Sequence, residues 1–196
     1  MKDHLQDLAD AVKQKSDRTH REKRSLDDNC GVQNYPRSCR DVKRIDNHTR
    51  VYTIKPKGAV DPFLVPCDFD TEGGGWAIIQ RRVDGSVDFD RDYETYKNGF
   101  GNLGGEFWLG LEKIHQMTDS TVYELLISMT GVDDVTRKPR YTTFKVGSEA
   151  TGYLLSVTGN LGQPGSLLER NGNQKFSTFD NDQDTSSDNC AKNRGM

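Results

Sequence analysis

The sequence predicts an α+β domain, because its apparent helices lie between groups of short strands without a regular β-α-β alternation. The strands show as stretches in which apolar and polar residues alternate, and the helices as apolar residues three or four positions apart. With 196 residues, the chain is long enough for one main domain with a sizeable core and an extension.

Three short strands with tight links are expected first. In the stretch RVYTIKP, Val51 and Thr53 lie on one face and Tyr52 and Ile54 on the other. The stretch FLVPCDFD follows and leads through EGGG into WAIIQRRV, which we interpret as two more strands.

Two helices follow these strands. In DRDYETYKNGFG, Asp90 is a plausible N-cap and Gly99 stands just past the last turn, so we expect a short helix between them. In GEFWLGLEKIHQMT, Phe107, Leu111 and Ile114 fall at i, i+4 and i+7, which predicts the apolar stripe of a second helix.

The next stretches return to strand periodicity. In VYELLISM, Tyr123, Leu125, Ile127 and Met129 are predicted to share a face. YTTFKVG and GYLLSVTG alternate in the same way, so we expect two further strands.

Residues 1–29 contain no glycine or proline and differ from the rest of the chain. Leu5, Leu8 and Val12 have the spacing of a coiled-coil seam, but the next two seam positions are polar. Two interpretations stay open: the end of an oligomerising stalk, or a solvated charged helix or frayed leader.

The stretch REKRS contains a basic motif made by Arg21, Lys23 and Arg24. It fits the pattern that secretory-pathway convertases cleave, which requires an exposed, extended segment. The alternative is a charged linker without processing.

The charge balance argues against nucleic acid as a partner. Lys and Arg number 27 against 30 Asp and Glu, so the formal net charge is -3 and no polycationic surface is expected. The longest apolar runs are far shorter than the ~18 residues of a membrane-spanning helix, so no membrane span is expected.

The four cysteines at positions 30, 39, 67 and 190 lack the paired C-x-x-C spacing of zinc and redox sites. Their wide spacing suits disulfides and an oxidising compartment, and therefore secretion. No signal peptide is visible in the given sequence, so secretion would require a leader outside it.

The stretch GGGWAIIQRRVDGSVDFDRDYETYKNGFGNLGGEFWLGLEKIHQMT resembles the fibrinogen C-terminal domain family. The family pattern runs through G-G-W, Q-R-R, D-G-S-x-D-F and Y-K-x-G-F-G-N-L-x-G-E-F-W-L-G-L-E, nearly without gaps. YTTFKVGSE and FSTFDNDQD resemble later parts of the family in the expected order. The resemblance covers residues 39–196, which leaves 30–38 as a linker.

The resemblance implies a small N-terminal subdomain closed by a Cys39–Cys67 disulfide, a central mainly antiparallel sheet with short helices, and a C-terminal calcium and ligand subdomain. Cys190 resembles a family cysteine whose disulfide partner follows a W-W pair farther along the chain. We therefore expect this domain to be incomplete at its C-terminus, and Cys190 to have no family partner in this sequence. Cys30 lies outside the match and is either an interchain link or free.

The stretch FDNDQDTSSDNC has the composition of a site for a hard cation, because carboxylates and carbonyls supply the oxygen ligands that calcium takes. It is not an EF-hand, since the required glycine and glutamate positions are not filled. The resemblance implies carboxylate ligands from Asp182 and Asp184, backbone carbonyls from Ser186 and Asp188, and an outer role for Asp180. The alternative is a solvated acidic turn.

No catalytic motif stands out, because the four histidines are scattered and no zinc-protease, nucleophile-elbow or phosphate-loop pattern occurs. We therefore do not expect an enzyme. The triplet NHT makes Asn47 a candidate glycosylation site in a secreted chain.

The functional hypothesis is a secreted, non-enzymatic binding module held in homo-oligomers by an upstream stalk, which would raise weak single-site affinity by multivalency. The resemblance leaves two classes open. One is a calcium-dependent lectin of innate immunity, similar to ficolins, that recognises acetylated carbohydrate. The other binds a cell-surface or matrix protein, as angiopoietin-like, tenascin-like or fibrinogen-like proteins do. A calcium-stabilised spacer without a ligand is a third possibility, and the ligand-binding residues are not predicted.

Overall fold

The computed structural model of the chain describes residues 34–161 and 168–194. The chain divides into two units, 1–34 and 35–196, and the description below concerns the second. The predicted stalk at 1–29, the basic motif with Arg21, Lys23 and Arg24, and Cys30 lie outside the described residues. Among the described residues, no helix is long and apolar enough to cross a membrane.

The first part of the domain is a three-stranded sheet with a short helix. Ser38 caps this helix, because its Oγ accepts a hydrogen bond from Asp41 N. Strand pairing is antiparallel in the order β1-β2-β3. The elements are α1 (Cys39–Val42), β1 (Arg50–Ile54), β2 (Phe63–Asp68) and β3 (Trp76–Ala77).

The predicted disulfide is confirmed: Cys39 and Cys67 are bonded, with their Cα atoms 5.5 Å apart. It ties α1 to β2, and both sulfur-bearing side chains are buried. Because the bond joins residues 28 positions apart, the chain-entropy estimate gives it roughly 3–4 kcal/mol of stabilisation.

The second part is a small sheet in the order β4-β6-β5 with two helices. The predicted single strand WAIIQRRV is wrong, because the chain leaves one sheet after β3 and joins another at β4. The elements are β4 (Gln80–Arg81), α2 (Tyr93–Asn98), β5 (Phe100–Gly101), β6 (Phe107–Trp108) and α3 (Leu111–Thr118).

Both helices begin later than the sequence predicts. The N-cap of α2 is Asp92 rather than Asp90, and the Asp92 carboxylate accepts from Thr95 N at 2.7 Å. Phe107 lies in β6 and not on the second helix, because Gly110, with φ of 111°, turns the chain before α3 begins. The predicted end of the first helix at Gly99 is confirmed.

The third part is a sheet in the order β11-β10-β7 and a separate hairpin, β8-β9. Tyr123 and Leu125 lie in β7, but Met129 lies in the hairpin and is 48% exposed, so the predicted continuous strand is wrong. The elements are β7 (Tyr123–Leu126), β8 (Met129–Thr130), β9 (Thr136–Arg137), β10 (Arg140–Val146) and β11 (Leu155–Asn160).

The hydrophobic core lies between α3, α2 and the sheets. Helix α3 buries Leu111, Ile114 and Met117. Its last residue, Thr118, is joined to the sheet because its Oγ1 accepts from Val146 N at 3.1 Å. All strand pairs that the structure describes are antiparallel, so the predicted α+β class with a mainly antiparallel sheet is confirmed.

Candidate functional site

The candidate site is the acidic loop, which we define as residues 177–189. It follows a 3₁₀ turn (Glu169–Asn171) and precedes the short helix α4 (Cys190–Arg194). All four predicted calcium ligands, Asp182, Asp184, Ser186 and Asp188, lie in this loop.

Aromatic packing fixes the entry to the acidic loop. The Phe176 ring centroid lies 5.1 Å from that of Tyr96 and 6.4 Å from that of Trp108, and Phe176 stacks on the indole. Trp108 Nε1 also donates to Tyr96 O at 2.8 Å. The residue that leads into the loop is therefore packed against the core.

Asp180 joins the acidic loop to the start of α2. Its Oδ1 accepts from Thr178 Oγ1 at 2.7 Å and from Tyr93 N at 3.0 Å. Tyr93 is the first residue of α2, where backbone N–H groups lack helical partners. The Thr178 side chain is fully buried, at 0% exposure. Asp180 thus accepts from the first backbone N–H of α2, and the outer position around calcium that the resemblance implies for it stays a prediction.

Two amide side chains close the loop on itself. Gln183 Nε2 donates to Phe176 O at 2.9 Å, and Gln183 N donates to Ser177 Oγ at 2.9 Å. Asn189 Nδ2 donates to Thr178 O at 3.2 Å. The two ends of the loop are thereby held together by neutral hydrogen bonds.

Asp184 is the most constrained of the predicted ligands. Its Oδ2 accepts from Cys190 N at 2.9 Å, and its Oδ1 accepts from Ser186 N at 2.7 Å. These donors, Cys190 first, lower the pKa of Asp184 because they favour the carboxylate. Asp182 Oδ1 accepts from Asp184 N at 3.2 Å, so the two carboxylates follow one another in a turn of the loop.

The acidic loop contains the types of oxygen donor that a hard divalent cation takes. Asp182 and Asp184 supply carboxylate oxygens, and each such oxygen has lone pairs beyond the hydrogen bonds described. The backbone of Ser186 and Asp188 supplies carbonyls in the same loop, and calcium accepts this mixture with water. Over 34–161 and 168–194, no group of three or more His, Cys, Asp or Glu side chains is arranged to hold a metal. A calcium site here would thus depend on the carbonyls.

Of the remaining predicted residues, Cys190 borders the acidic loop and Asn47 lies elsewhere on the domain. Cys190 is half-buried and forms no disulfide with a cysteine in the described part of the chain. Asn47 is exposed between α1 and β1, where a glycan could be attached. Its neighbour Thr49 donates through Oγ1 to Asp70 Oδ2 at 2.6 Å. Glycosylation of Asn47 stays a prediction.

Sequence reasoning missed the residues that hold the loop. Asn189 has a recognisable signal, because an asparagine directly before a helix is a favoured N-cap, and its Oδ1 accepts from Lys192 N at 2.9 Å. Gln183 and Thr178 carry no such signal, since their partners are set by the folded path of the loop.

Comparison with known proteins supports this architecture. The family described as the C-terminal globular domain of fibrinogen beta and gamma chains matches residues 35–196. Fibrinogen C domain-containing protein 1-A of Xenopus laevis is 40% identical over 168 residues, which is 83% of this chain and 37% of that protein. Ryncolin-4 of Cerberus rynchops is 41% identical over 159 residues, 80% of this chain and 46% of that protein. The chain thus spans less than half the length of these curated relatives.

Solved structures show the same fold. The fibrinogen-like globe domain of human ANGPTL2 is 36% identical, with a TM-score of 0.77 over 80% of this chain and 73% of that one. A lamprey fibrin D-dimer, complexed with a Gly-His-Arg-Pro-amide peptide ligand, is 31% identical. Its TM-score is 0.72 over 97% of this chain and 66% of that one.

Proposed function

Because the chain belongs to the family of the C-terminal globular domain of fibrinogen beta and gamma chains, we propose that it is a secreted, non-enzymatic binding module that recognises acetylated sugars with calcium in its acidic loop. An extracellular binding module agrees with the fibrinogen-like globes that share the fold.

The observation that carries the calcium proposal is the arrangement of Asp184. Its carboxylate is held by two backbone N–H groups, so it is oriented before any ion arrives. Asp180 and Phe176 fix the loop against α2 and the aromatic core. A preorganised oxygen donor binds a cation with a smaller ordering cost.

The acetylated sugar is the ligand of the lectin members that the chain resembles, so it is the first ligand to test. A single domain would bind weakly, as monosaccharide sites generally do, and oligomerisation through a stalk at 1–29 would raise the avidity. In this proposal the acidic loop organises the ligand surface and the upstream segment supplies the valency.

A protein ligand is the second candidate. The observation in its favour is the similarity to the lamprey fibrin D-dimer, which is a complex with a peptide. A protein that shares this fold thus occurs in complex with a peptide, and a cell-surface or matrix protein would be the partner of this chain.

The decisive experiment is retention of the full chain on immobilised N-acetylglucosamine, with immobilised glucose, which has no acetyl group, as the control. We expect retention in calcium and elution by either a chelator or free N-acetylglucosamine. Asp184→Asn should weaken retention by about tenfold or more, which is the effect of ~1.4 kcal/mol. Asp134→Asn removes an exposed carboxylate from the β8-β9 turn and should behave like the wild type. A chain that ignores the acetylated resin but binds a protein receptor would overturn the lectin proposal in favour of the second candidate.

A further inference from the structure

The glycosylation triplet Asn47-His48-Thr49 lies on the exposed turn between α1 and β1. The chain contains one such N-x-S/T triplet. The Asn47 side chain is exposed and forms no hydrogen bond with any residue that the structure describes. The folded domain therefore has room for a glycan on Asn47 Nδ2.

The hydroxyl of Thr49, which completes the triplet, is bonded to the segment that follows β2. Its Oγ1 donates to Asp70 Oδ2 at 2.6 Å and accepts from Phe69 N at 3.0 Å. A hydroxyl has a single proton, so its capacity as a donor is used completely. The two partners lie 21 and 20 positions later in the chain. These hydrogen bonds can therefore form only when the later segment has folded back beside the start of β1.

The backbone of His48, the middle residue of the triplet, is also held on both sides. His48 N donates to Asp46 Oδ1 at 3.1 Å, and His48 O accepts from Tyr52 Oη at 2.7 Å. Tyr52 lies in β1, which pairs with β2 along its whole length. The Cys39–Cys67 disulfide joins the helix before the triplet to β2. The conformation of the triplet is therefore fixed by the folded first part of the domain.

Attachment of an N-glycan requires access to the threonine hydroxyl as well as to the amide. In the transfer, Asn47 Nδ2 displaces the diphosphate of a lipid-linked oligosaccharide at its anomeric carbon. A C–N bond forms, a C–O bond breaks, and a base of the transferase takes one amide proton. The third position of the triplet accepts Ser or Thr, and the group that these residues share is the hydroxyl. The transferase must therefore contact this hydroxyl, which is bonded to Asp70 in the folded domain.

We propose that the folded domain can carry a glycan on Asn47 but cannot receive one, so that glycosylation of this chain precedes the pairing of β1 with β2. Folding closes the acceptor when Thr49 bonds to Asp70. In a cell the inference rests on the secretion that the proposed function includes, because the transferase acts on secreted chains. A test on purified protein involves neither secretion, calcium nor a sugar ligand, so the two proposals can fail independently.

The first test compares two states of the purified, unglycosylated full chain. One sample is native, and the other is reduced, alkylated and shown by circular dichroism to be unfolded. Both are incubated with an oligosaccharyltransferase and a lipid-linked oligosaccharide, and intact mass gives the glycosylated fraction over time. We expect the unfolded chain to react faster by about tenfold or more, because in the native chain a hydrogen bond to a charged group must first break. Equal rates, or an unfolded chain that is not modified, overturn the proposal.

The second test releases the triplet within the native fold. The double variant Asp70→Ala/Tyr52→Phe removes the carboxylate that accepts from the threonine hydroxyl and the phenol that donates to the middle carbonyl. We expect this variant, when native, to be glycosylated about tenfold or more faster than the native wild type.

The matched control is Asp61→Ala/Tyr123→Phe, which removes a carboxylate and a phenol that form no hydrogen bond with the triplet and should react like the wild type. A native Asp70→Ala/Tyr52→Phe variant that reacts as slowly as the native wild type overturns the proposal. Should this variant fail to fold, the comparison of native and unfolded wild type decides the question.

Discussion

At the scale of single residues, Glu106 is a buried acid that organises a turn. Its carboxylate accepts from the backbone N–H groups of Val83, Asp84, Gly85 and Val87 at 2.5, 2.8, 2.9 and 3.1 Å. The side chain is buried, and the residue is 3% exposed. These donors, Val83 and Gly85 first, lower the pKa of Glu106 to about 2, because they favour the charged form.

The lowered pKa predicts acid sensitivity. The ordinary pKa of this group is 4.5, so the stability that Glu106 contributes is complete above about pH 4.5 and is lost as the pH falls to about 2. In Glu106→Gln, the side chain offers these four N–H donors one oxygen and an NH₂ group, which cannot accept. The melting temperature of this variant at neutral pH should therefore be several degrees below that of the wild type. Its melting temperature should also fall less than that of the wild type between about pH 5 and pH 2. Thermal melts followed by circular dichroism over this pH range test the prediction, with the exposed Glu94→Gln as control. If the melting temperature of Glu106→Gln falls with pH in parallel with that of the wild type, the prediction is contradicted.

At the scale of elements, Gly99 ends α2 and lets β5 begin beside β6. It adopts φ of 93° and ψ of 155°, a region that is essentially restricted to glycine. A Cβ at this position would lie 2.3 Å from Leu109 O, a backbone atom that cannot move aside without displacing β6 and α3. The turn therefore requires glycine for two reasons, backbone conformation and space.

Substitution can separate these two reasons. Gly99→Ala should lower the free energy of unfolding by about 3 kcal/mol, because strain and overlap combine. Gly58 has the same φ of 93° but no atom within 4 Å of a Cβ, so Gly58→Ala should cost only about 1 kcal/mol. Chemical denaturation of both variants measures the difference. Equal losses would show that overlap with Leu109 contributes nothing.

At the scale of the whole molecule, the sequence predicts the parts of the fold that depend on local patterns. The α+β class, the strands β1, β2, β10 and β11 and the end of α2 at Gly99 follow from alternation, spacing and turn residues. The Cys39–Cys67 bond follows from resemblance to the family. Local patterns could not place the start of α2, because Asp88, Asp90 and Asp92 alternate and only the fold selects the last of them.

Features that depend on tertiary contacts escaped prediction. The WAIIQRRV strand divides because β3 pairs with β2 and β4 pairs with β6, and this choice of sheet leaves no local signal. The Glu106 carboxylate accepts hydrogen bonds from backbone N–H groups that lie 19 to 23 positions earlier in the chain, so a local pattern does not reveal them. In the candidate site, composition and the family resemblance predicted the types of calcium ligand. The hydrogen bond between Asp180 and Tyr93 could not be predicted in this way, because it joins residues 87 positions apart.

Thermal unfolding of the chain in calcium and in chelator is the first measurement to make, because we propose that the acidic loop binds calcium through Asp184. A ligand at a hundredfold its Kd stabilises a fold by about 2.7 kcal/mol, which raises the melting temperature of a chain of this size by about 5–10 °C. We expect a rise of this order for the wild type and for Asp134→Asn, and little or none for Asp184→Asn. Equal melting temperatures with and without calcium in the wild type, or an undiminished rise in Asp184→Asn, would contradict the account.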